Sequence, residues 1–185
     1  PSNLAASNIT SNSADISWTG GGAVDWNIEY GPTGFALGSG TSLNSTTTTT
    51  TLGSLTPVTS YDVYVRDSCG VGDVSPWTGP LSFTTSCAVY PTPFLESFDA
   101  SSTPSCWTES GSESWNYSTS AGYAAGSAGD HTGNGGNYAW IDGSSPSGAS
   151  QISTLTSPLI DVSTLTTPQL RFYVFSHNTN GTSYN

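Results

Sequence analysis

The side chains of this sequence that could do chemistry are mainly carboxylates and amides. The acidic residues of its second half, with nearby asparagines, supply the hard oxygen atoms that Ca²⁺ prefers. They are Asp99, Asp130, Asp142, Asn134, Asn137, Asn178 and Asn180. The chain has 13 Asp and Glu against 2 Lys and Arg, which gives a formal net charge of −11. A bound Ca²⁺ would relieve repulsion among clustered carboxylates, although the same residues could instead form only Asx-turns and strand ends.

Catalytic arrangements are missing from the sequence. It contains no G-x-S-x-G, H-E-x-x-H or Cys–His arrangement, and the adjacent Asp130 and His131 would point to opposite faces of a strand. Glu96, Asp99, Glu109 and Glu113 are near enough in sequence to supply a glycosidase pair, but no motif specifies the second partner. We therefore predict that this chain is not an enzyme.

The six tryptophans have two possible roles. They could offer flat faces on which sugars stack, or they could fill the cores of β-sandwiches. We expect Trp18, Trp77 and Trp107 to be core residues, and the role of Trp26 is open. Trp115 and Trp140 are the candidate ligand-binding residues.

The composition excludes several classes of partner. Arg66 and Arg171 are the only cationic side chains apart from two histidines, and two arginines cannot neutralise a nucleic-acid backbone. No stretch approaches the roughly 18 apolar residues of a membrane span. The Ser-, Thr- and Gly-rich, Lys-free composition is typical of extracellular or cell-surface proteins. We therefore expect no nucleic-acid binding and no membrane insertion.

The hydrophobic pattern predicts an all-β chain. Apolar and polar residues alternate over Ala14 to Trp18, Asp25 to Tyr30 and Tyr61 to Val65, and Leu81 to Phe83 begins a further strand. Turn residues recur about every ten positions, as in a β-sandwich. The six threonines from Thr46 to Thr51 suit a solvated edge strand, or alternatively a glycosylated or ligand-facing array.

Residues 1–86 resemble a fibronectin type III domain. Leu55 to Tyr61 is similar to that family's tyrosine corner, in which a tyrosine hydroxyl bonds to backbone a few residues upstream. Trp18 lies where the family has its strand-B tryptophan, Tyr30 ends a strand-C-like segment, and Val74 to Thr85 matches the last strand. The resemblance implies an immunoglobulin-like sandwich.

A short Pro-containing linker, 87–93, precedes a second block, 94–185, that resembles a MAM domain, a jelly-roll sandwich. The matching features are Phe98-Asp99, Trp107, Trp115, Asp130-His131-Thr132, Gly136 to Trp140, Leu155 to Pro158 and the aromatic strand Leu170 to Phe175. A MAM domain needs further strands after this point. We therefore expect an incomplete jelly roll, completed by a longer polypeptide or by a partner.

The MAM resemblance also implies site residues. Cys87 and Cys106 occupy roughly the place of that family's first disulfide, so we predict this bridge. The rival pair, Cys69 with Cys87, would join opposite ends of a hairpin. Asp99 and Asp130 lie where MAM-like domains place acidic residues around a structural cation, whereas Asp142 rests on no motif.

These features predict a non-catalytic adhesion or binding segment of a larger secreted or cell-surface modular protein. Its style resembles surface proteins of gram-negative gliding bacteria. The alternatives are a structural repeat of an extracellular fibre or filament and an accessory region of a secreted hydrolase. The expected partners are neighbouring domains of the same chain, like subunits, glycans or cell-surface proteins.

Overall fold

A computed structural model describes residues 1–70, 72–121, 130–131, 133, 135–141 and 152–174. The chain divides into two compact units, residues 1–88 and residues 89–185. All regular structure in the described ranges is β-strand, and these ranges contain no helix of the length and apolarity that a membrane crossing needs. Among the residues considered above, Asp142, Thr132, Phe175 and three asparagines, Asn134, Asn178 and Asn180, lie outside the described ranges.

The first unit is a sandwich of two antiparallel sheets. Its strands are β1 (Ser2–Ser7), β2 (Ala14–Thr19), β3 (Asp25–Pro32), β4 (Thr41–Ser45), β5 (Thr49–Leu52), β6 (Ser60–Gly70), β7 (Asp73–Val74) and β8 (Thr78–Thr84). One sheet has the order β1-β2-β5. The other has the order β4-β3-β6-β7, and β8 also pairs with β6. The four stretches with alternating or strand-like patterns thus all lie in strands.

Side chains that alternate along these strands fill the space between the two sheets. Ile16, Ile28 and Val63 are completely buried, as expected when every second residue faces the core. Trp18 and Trp26 pack edge to face, with ring centroids 5.9 Å apart. Trp26, whose role the sequence left open, is therefore a core residue.

The tyrosine corner is present. The hydroxyl oxygen of Tyr61 accepts a hydrogen bond from the backbone N–H of Thr56 at 2.9 Å, and the Tyr61 ring stacks on Phe83. This bond fixes the chain where it enters β6, as the Leu55 to Tyr61 motif predicts.

The threonine run lies at a sheet edge. Thr49 to Thr51 belong to β5, which pairs with β2 and is the last strand of its sheet. The Thr51 hydroxyl donates to a carboxylate oxygen of Asp15 at 2.6 Å. Part of the run is therefore an edge strand tied to its neighbour.

The second unit is also built from strands. They are β9 (Tyr90–Pro91), β10 (Thr108–Gly111), β11 (Asn116–Ser118), β12 (Tyr138–Trp140), β13 (Ser153–Thr156) and β14 (Ile160–Asp161). β10 pairs with β13 and β11 with β12, both antiparallel, and β9 pairs with β14 in parallel. The Phe98 ring lies edge-on to Trp107 and stacks on Tyr117. These short pairs do not by themselves define a jelly roll, which stays a prediction.

The prediction of a strand over Leu170 to Phe175 is wrong for residues 170–174, the part of it that the structure describes. Residues 170–174 have no strand assignment, and the side chains of Leu170, Phe172 and Tyr173 are 84%, 73% and 70% exposed. A strand is stable only when its backbone groups pair with a neighbour, and no described strand pairs with this segment.

The chain contains one disulfide. Cys87 and Cys106 are both disulfide-bonded, whereas Cys69 is exposed and free. Since the chain has three cysteines, the bridge joins Cys87 to Cys106, the pairing that the sequence analysis favoured over Cys69 with Cys87.

Candidate ligand-binding cavity

Trp115 and Trp140 line the same open cavity in the second unit. Its volume is about 310 Å³, and its other lining residues carry hydroxyl, amide or carboxylate groups. They are Ser101, Ser102, Thr103, Glu109, Asn116, Tyr117 and Ser118. Two indole rings with a few polar groups beside them make a surface typical of small-ligand sites.

The strand pair β11–β12 brings the two tryptophans together. Asn116 is the register partner of Trp140, so Trp115, one residue earlier, lies beside the same end of the pair. The Trp140 indole N–H donates to Oγ of Ser118 at 2.8 Å. This bond fixes the plane of the Trp140 ring at the cavity.

Glu109 is the anionic group of the cavity. The hydroxyl groups of Thr103 and Tyr117 both donate to its Oε1 atom, the latter at 2.9 Å. The bond from Thr103, followed by that from Tyr117, holds the pKa of Glu109 below its usual 4.5 despite the opposing effect of burial. The carboxylate is therefore ionised near neutral pH.

Tyr117 keeps its proton over the same pH range. Burial, and then the hydrogen bond to Glu109, raise the pKa of Tyr117 to about 12. A general acid for glycoside hydrolysis needs a raised carboxyl pKa and a second carboxylate within reach. The lowered pKa of Glu109, the sole carboxylate among the described lining residues, suits binding better than catalysis.

The structure also brings together two of the three predicted metal ligands. A Cβ atom placed on Gly136 would collide with Oδ1 of Asp99 and lie 3.5 Å from Oδ2 of Asp130. The Asn137 side-chain amide donates to the backbone oxygen of Asp99 at 2.9 Å. In the described part of the chain no group of three or more His, Cys, Asp or Glu could hold a metal. A cation at Asp99 and Asp130 stays a prediction.

Sequence reasoning missed the polar residues of the cavity. From the sequence, Glu109 was predicted only as a possible catalytic carboxylate, and no role was predicted for Tyr117 or Ser118. The available signal was the run Trp115 to Ser118, in which aromatic and polar residues alternate. It could not show that Thr103 and Glu109 would lie against the run, because that contact depends on the tertiary fold.

Comparison with known proteins identifies the first unit. Residues 1–84 match the family model of the fibronectin type III domain. With the sandwich topology and the tyrosine corner, this match makes the first unit a fibronectin type III domain, a module typical of extracellular modular proteins.

One curated relative extends the comparison. Endoglucanase B of Cellulomonas fimi is 32% identical over 125 residues, which cover 63% of this chain and 10% of that protein. The chain thus spans about a tenth of the length of the curated relative it matches.

Solved structures similar to this chain include two human domains. The fn3 domain of collagen alpha-1(XX) chain is 26% identical, with a TM-score of 0.43, over 51% of this chain and 90% of that chain. The fn3 domain of contactin 1 is 17% identical, with a TM-score of 0.43, over 52% of this chain and 86% of that chain.

Proposed function

We propose that this chain is a non-catalytic binding segment of a larger secreted or cell-surface protein, and that its second unit binds neutral saccharides. The observation that carries this proposal is the shared cavity of Trp115 and Trp140. Indole faces suit the C–H faces of sugar rings, and the hydroxyl and amide groups beside them suit sugar hydroxyls.

The state of Glu109 adds to this argument. Two donated hydrogen bonds hold its carboxylate at the cavity wall. A fixed carboxylate can accept hydrogen bonds from sugar hydroxyl groups without the entropy loss of ordering a free side chain. It also disfavours acidic ligands by charge repulsion, so the proposed ligand is neutral.

An extracellular location fits both units. The fibronectin type III domain is typical of modular extracellular proteins, and the Cys87–Cys106 disulfide is stable in an oxidising environment. Both features support the secreted or cell-surface part of the proposal.

A second candidate is an accessory region of a secreted hydrolase. The similarity to an endoglucanase favours it. In that case the neutral saccharide would be a β-glucan, and the chain would hold a separate catalytic domain near its polymer.

The proposal is tested with the full chain and two kinds of neutral probe. Isothermal titration with cello-oligosaccharides and pull-down on insoluble cellulose measure β-glucan binding, and a glycan array covers other neutral sugars. We expect Trp140→Ala and Trp115→Ala each to weaken binding at least tenfold, because each removes one of the two stacking faces.

Trp77→Ala is the matched control, because Trp77 lies in the first unit, outside this cavity. The expectation that Trp77 is a core residue was wrong, since its side chain is only partly buried. The control variant should leave neutral-sugar binding unchanged. Equal binding by all four proteins, or no binding of any neutral glycan at millimolar concentration, would contradict a saccharide site at Trp115 and Trp140. Binding to other neutral glycans but not to β-glucans would count against the hydrolase candidate alone.

A further inference from the structure

We infer that the first unit carries a separate binding site, centred on Arg66, for saccharides that bear a carboxylate group. The site is a groove on the outer face of the sheet formed by β4, β3 and β6. Its volume is about 490 Å³, inside the roughly 300–1,000 Å³ range of small-molecule sites. The inference does not depend on the cavity at Trp115 and Trp140.

The floor of the groove is a row of planar polar side chains. Asn27 is the register partner of Asn44 on β4 and of Arg66 on β6. The Asn27 amide donates to Oδ1 of Asn44 at 2.8 Å, and Nε of Arg66 donates to Oδ1 of Asn27 at 3.1 Å. The guanidinium carbon also lies 4.4 Å from the centroid of the Trp77 ring. The guanidinium plane is therefore held by an amide and an indole.

A buried carboxylate builds one wall of the groove. Glu29 is 4% exposed, and its Oε1 atom accepts the backbone N–H groups of Gly38 and Gly40 at 2.6 and 2.9 Å. These bonds fix the loop between β3 and β4, of which Leu37 and Gly38 line the groove. The Glu29 carboxylate is thus engaged by the loop backbone.

The charge of Arg66 points to an acidic ligand. Arg66 is the only Lys or Arg among residues 1–88 of a strongly acidic chain. It nevertheless makes no ion pair within the described residues and contacts a neutral amide and a neutral ring instead. A fixed guanidinium recognises a carboxylate strongly, through paired charge-assisted hydrogen bonds.

The amides beside Arg66 favour a saccharide over a peptide as the carrier of that carboxylate. Asn27 and Asn44 suit sugar hydroxyl groups, which both donate and accept. A peptide strand would add to the backbone of a sheet edge, whereas this groove lies on a sheet face. The ligand class is therefore a sugar acid, such as a uronate residue of a polysaccharide.

Titration of the full chain with trigalacturonate tests the inference, and the methyl ester of the same sugar is the uncharged probe. In a Trp140→Ala background, which weakens the neutral-saccharide cavity of the second unit, we expect the acid to bind and the ester to bind at least tenfold more weakly. In the same background, Arg66→Gln should reduce acid binding at least tenfold. Binding of the acid should also weaken as salt rises, because salt screens the charge pair.

A second variant covers the case in which Arg66→Gln perturbs the fold. Asn44 is exposed, so Asn44→Asp should keep the fold while its added negative charge weakens acid binding several-fold. Equal binding of acid and ester, unchanged binding by both variants, no binding of the acid at millimolar concentration, or preference for a tetraglutamate peptide would each overturn the inference.

Discussion

At the residue scale, several acidic side chains are structural rather than available for chemistry. Asp62 is the clearest case, because it lies on β6 and its side chain is buried. Its carboxylate accepts the Ser82 hydroxyl at 2.6 Å, the Gly34 backbone N–H at 2.9 Å and the Thr33 hydroxyl at 3.3 Å. Asp62 thereby ties the loop after β3 to β8.

These bonds predict a specific pH dependence. The bond from Ser82, then that from Gly34, lower the pKa of Asp62 below its usual 3.8. A carboxylate with a lowered folded-state pKa stabilises the fold above its unfolded-state pKa, and this contribution is lost as pH falls through the folded-state value. The free energy of unfolding of the first unit should therefore decrease below about pH 4.

Asp62→Asn should reduce this acid-induced loss and should also lower stability at pH 7, by about 2 kcal/mol, because charge-assisted bonds are replaced by weaker ones. Chemical unfolding at pH 7 and pH 3 measures both effects. Asp25→Asn, which changes an exposed carboxylate of the same unit, is the control. Identical pH dependence of the Asp62 variant and the parent chain would refute the assignment.

At the element scale, the pattern of apolar residues predicted β2, β3, β6 and β8 of the first unit. It did not predict β1, β4 or β7, nor the full length of every strand that it located. Alternation over Tyr61 to Val65 located β6, yet the strand runs on to Gly70. The added residues are mostly polar or small, and pairing with β3 and β7 keeps them extended. That pairing depends on neighbouring strands, so the local pattern of apolar residues could not predict how far β6 extends.

The disulfide gives a prediction at this scale. Cys87 and Cys106 close a loop of about 20 residues, and such a cross-link restricts the unfolded chain by about 3 kcal/mol. Replacing both cysteines by serine should therefore lower the free energy of unfolding by about that amount, as measured by denaturant titration under non-reducing conditions.

Cys69→Ser is the matched control for the double variant. Its thiol is exposed and free, so stability should stay within about 0.5 kcal/mol of the parent chain. If the control lost as much stability as the double variant, the cross-link would not be the source of the effect.

At the scale of the whole molecule, the excess of carboxylates is the dominant electrostatic property. A net charge of −11 with no lysine leaves clustered acids with few protein cations to offset them. Among the described residues, the predicted metal ligands Asp99 and Asp130 lie beside the same glycine, Gly136. We propose that Ca²⁺ binds there.

Thermal melts of the full chain with added Ca²⁺ and with EDTA test this proposal. Ca²⁺ should raise the melting temperature of the parent chain, because a ligand that binds the folded state stabilises it. Asp99→Asn and Asp130→Asn should abolish the shift, and Gly136→Ala should reduce it, since the added methyl group would displace the Asp99 carboxylate.

Asp73→Asn removes one charge at an exposed position of the first unit and should retain the full Ca²⁺ effect. A shift of equal size in all variants would mean that Ca²⁺ acts by general screening of the acidic surface. No shift in the parent chain would rule out the site.

The sequence by itself determined the all-β class of the described residues, the fibronectin type III unit and the tyrosine corner at Tyr61. These are properties of local alternation and short motifs, which are readable because every second residue of a strand faces the same side. Only the tertiary structure decided which polar groups meet: Glu109 with Thr103 and Tyr117, and Arg66 with Asn27 and Trp77. It also left Leu170 and its neighbours outside any strand. These outcomes depend on pairing between segments that are distant in sequence, and β-structure is formed by such pairing rather than by any one segment alone.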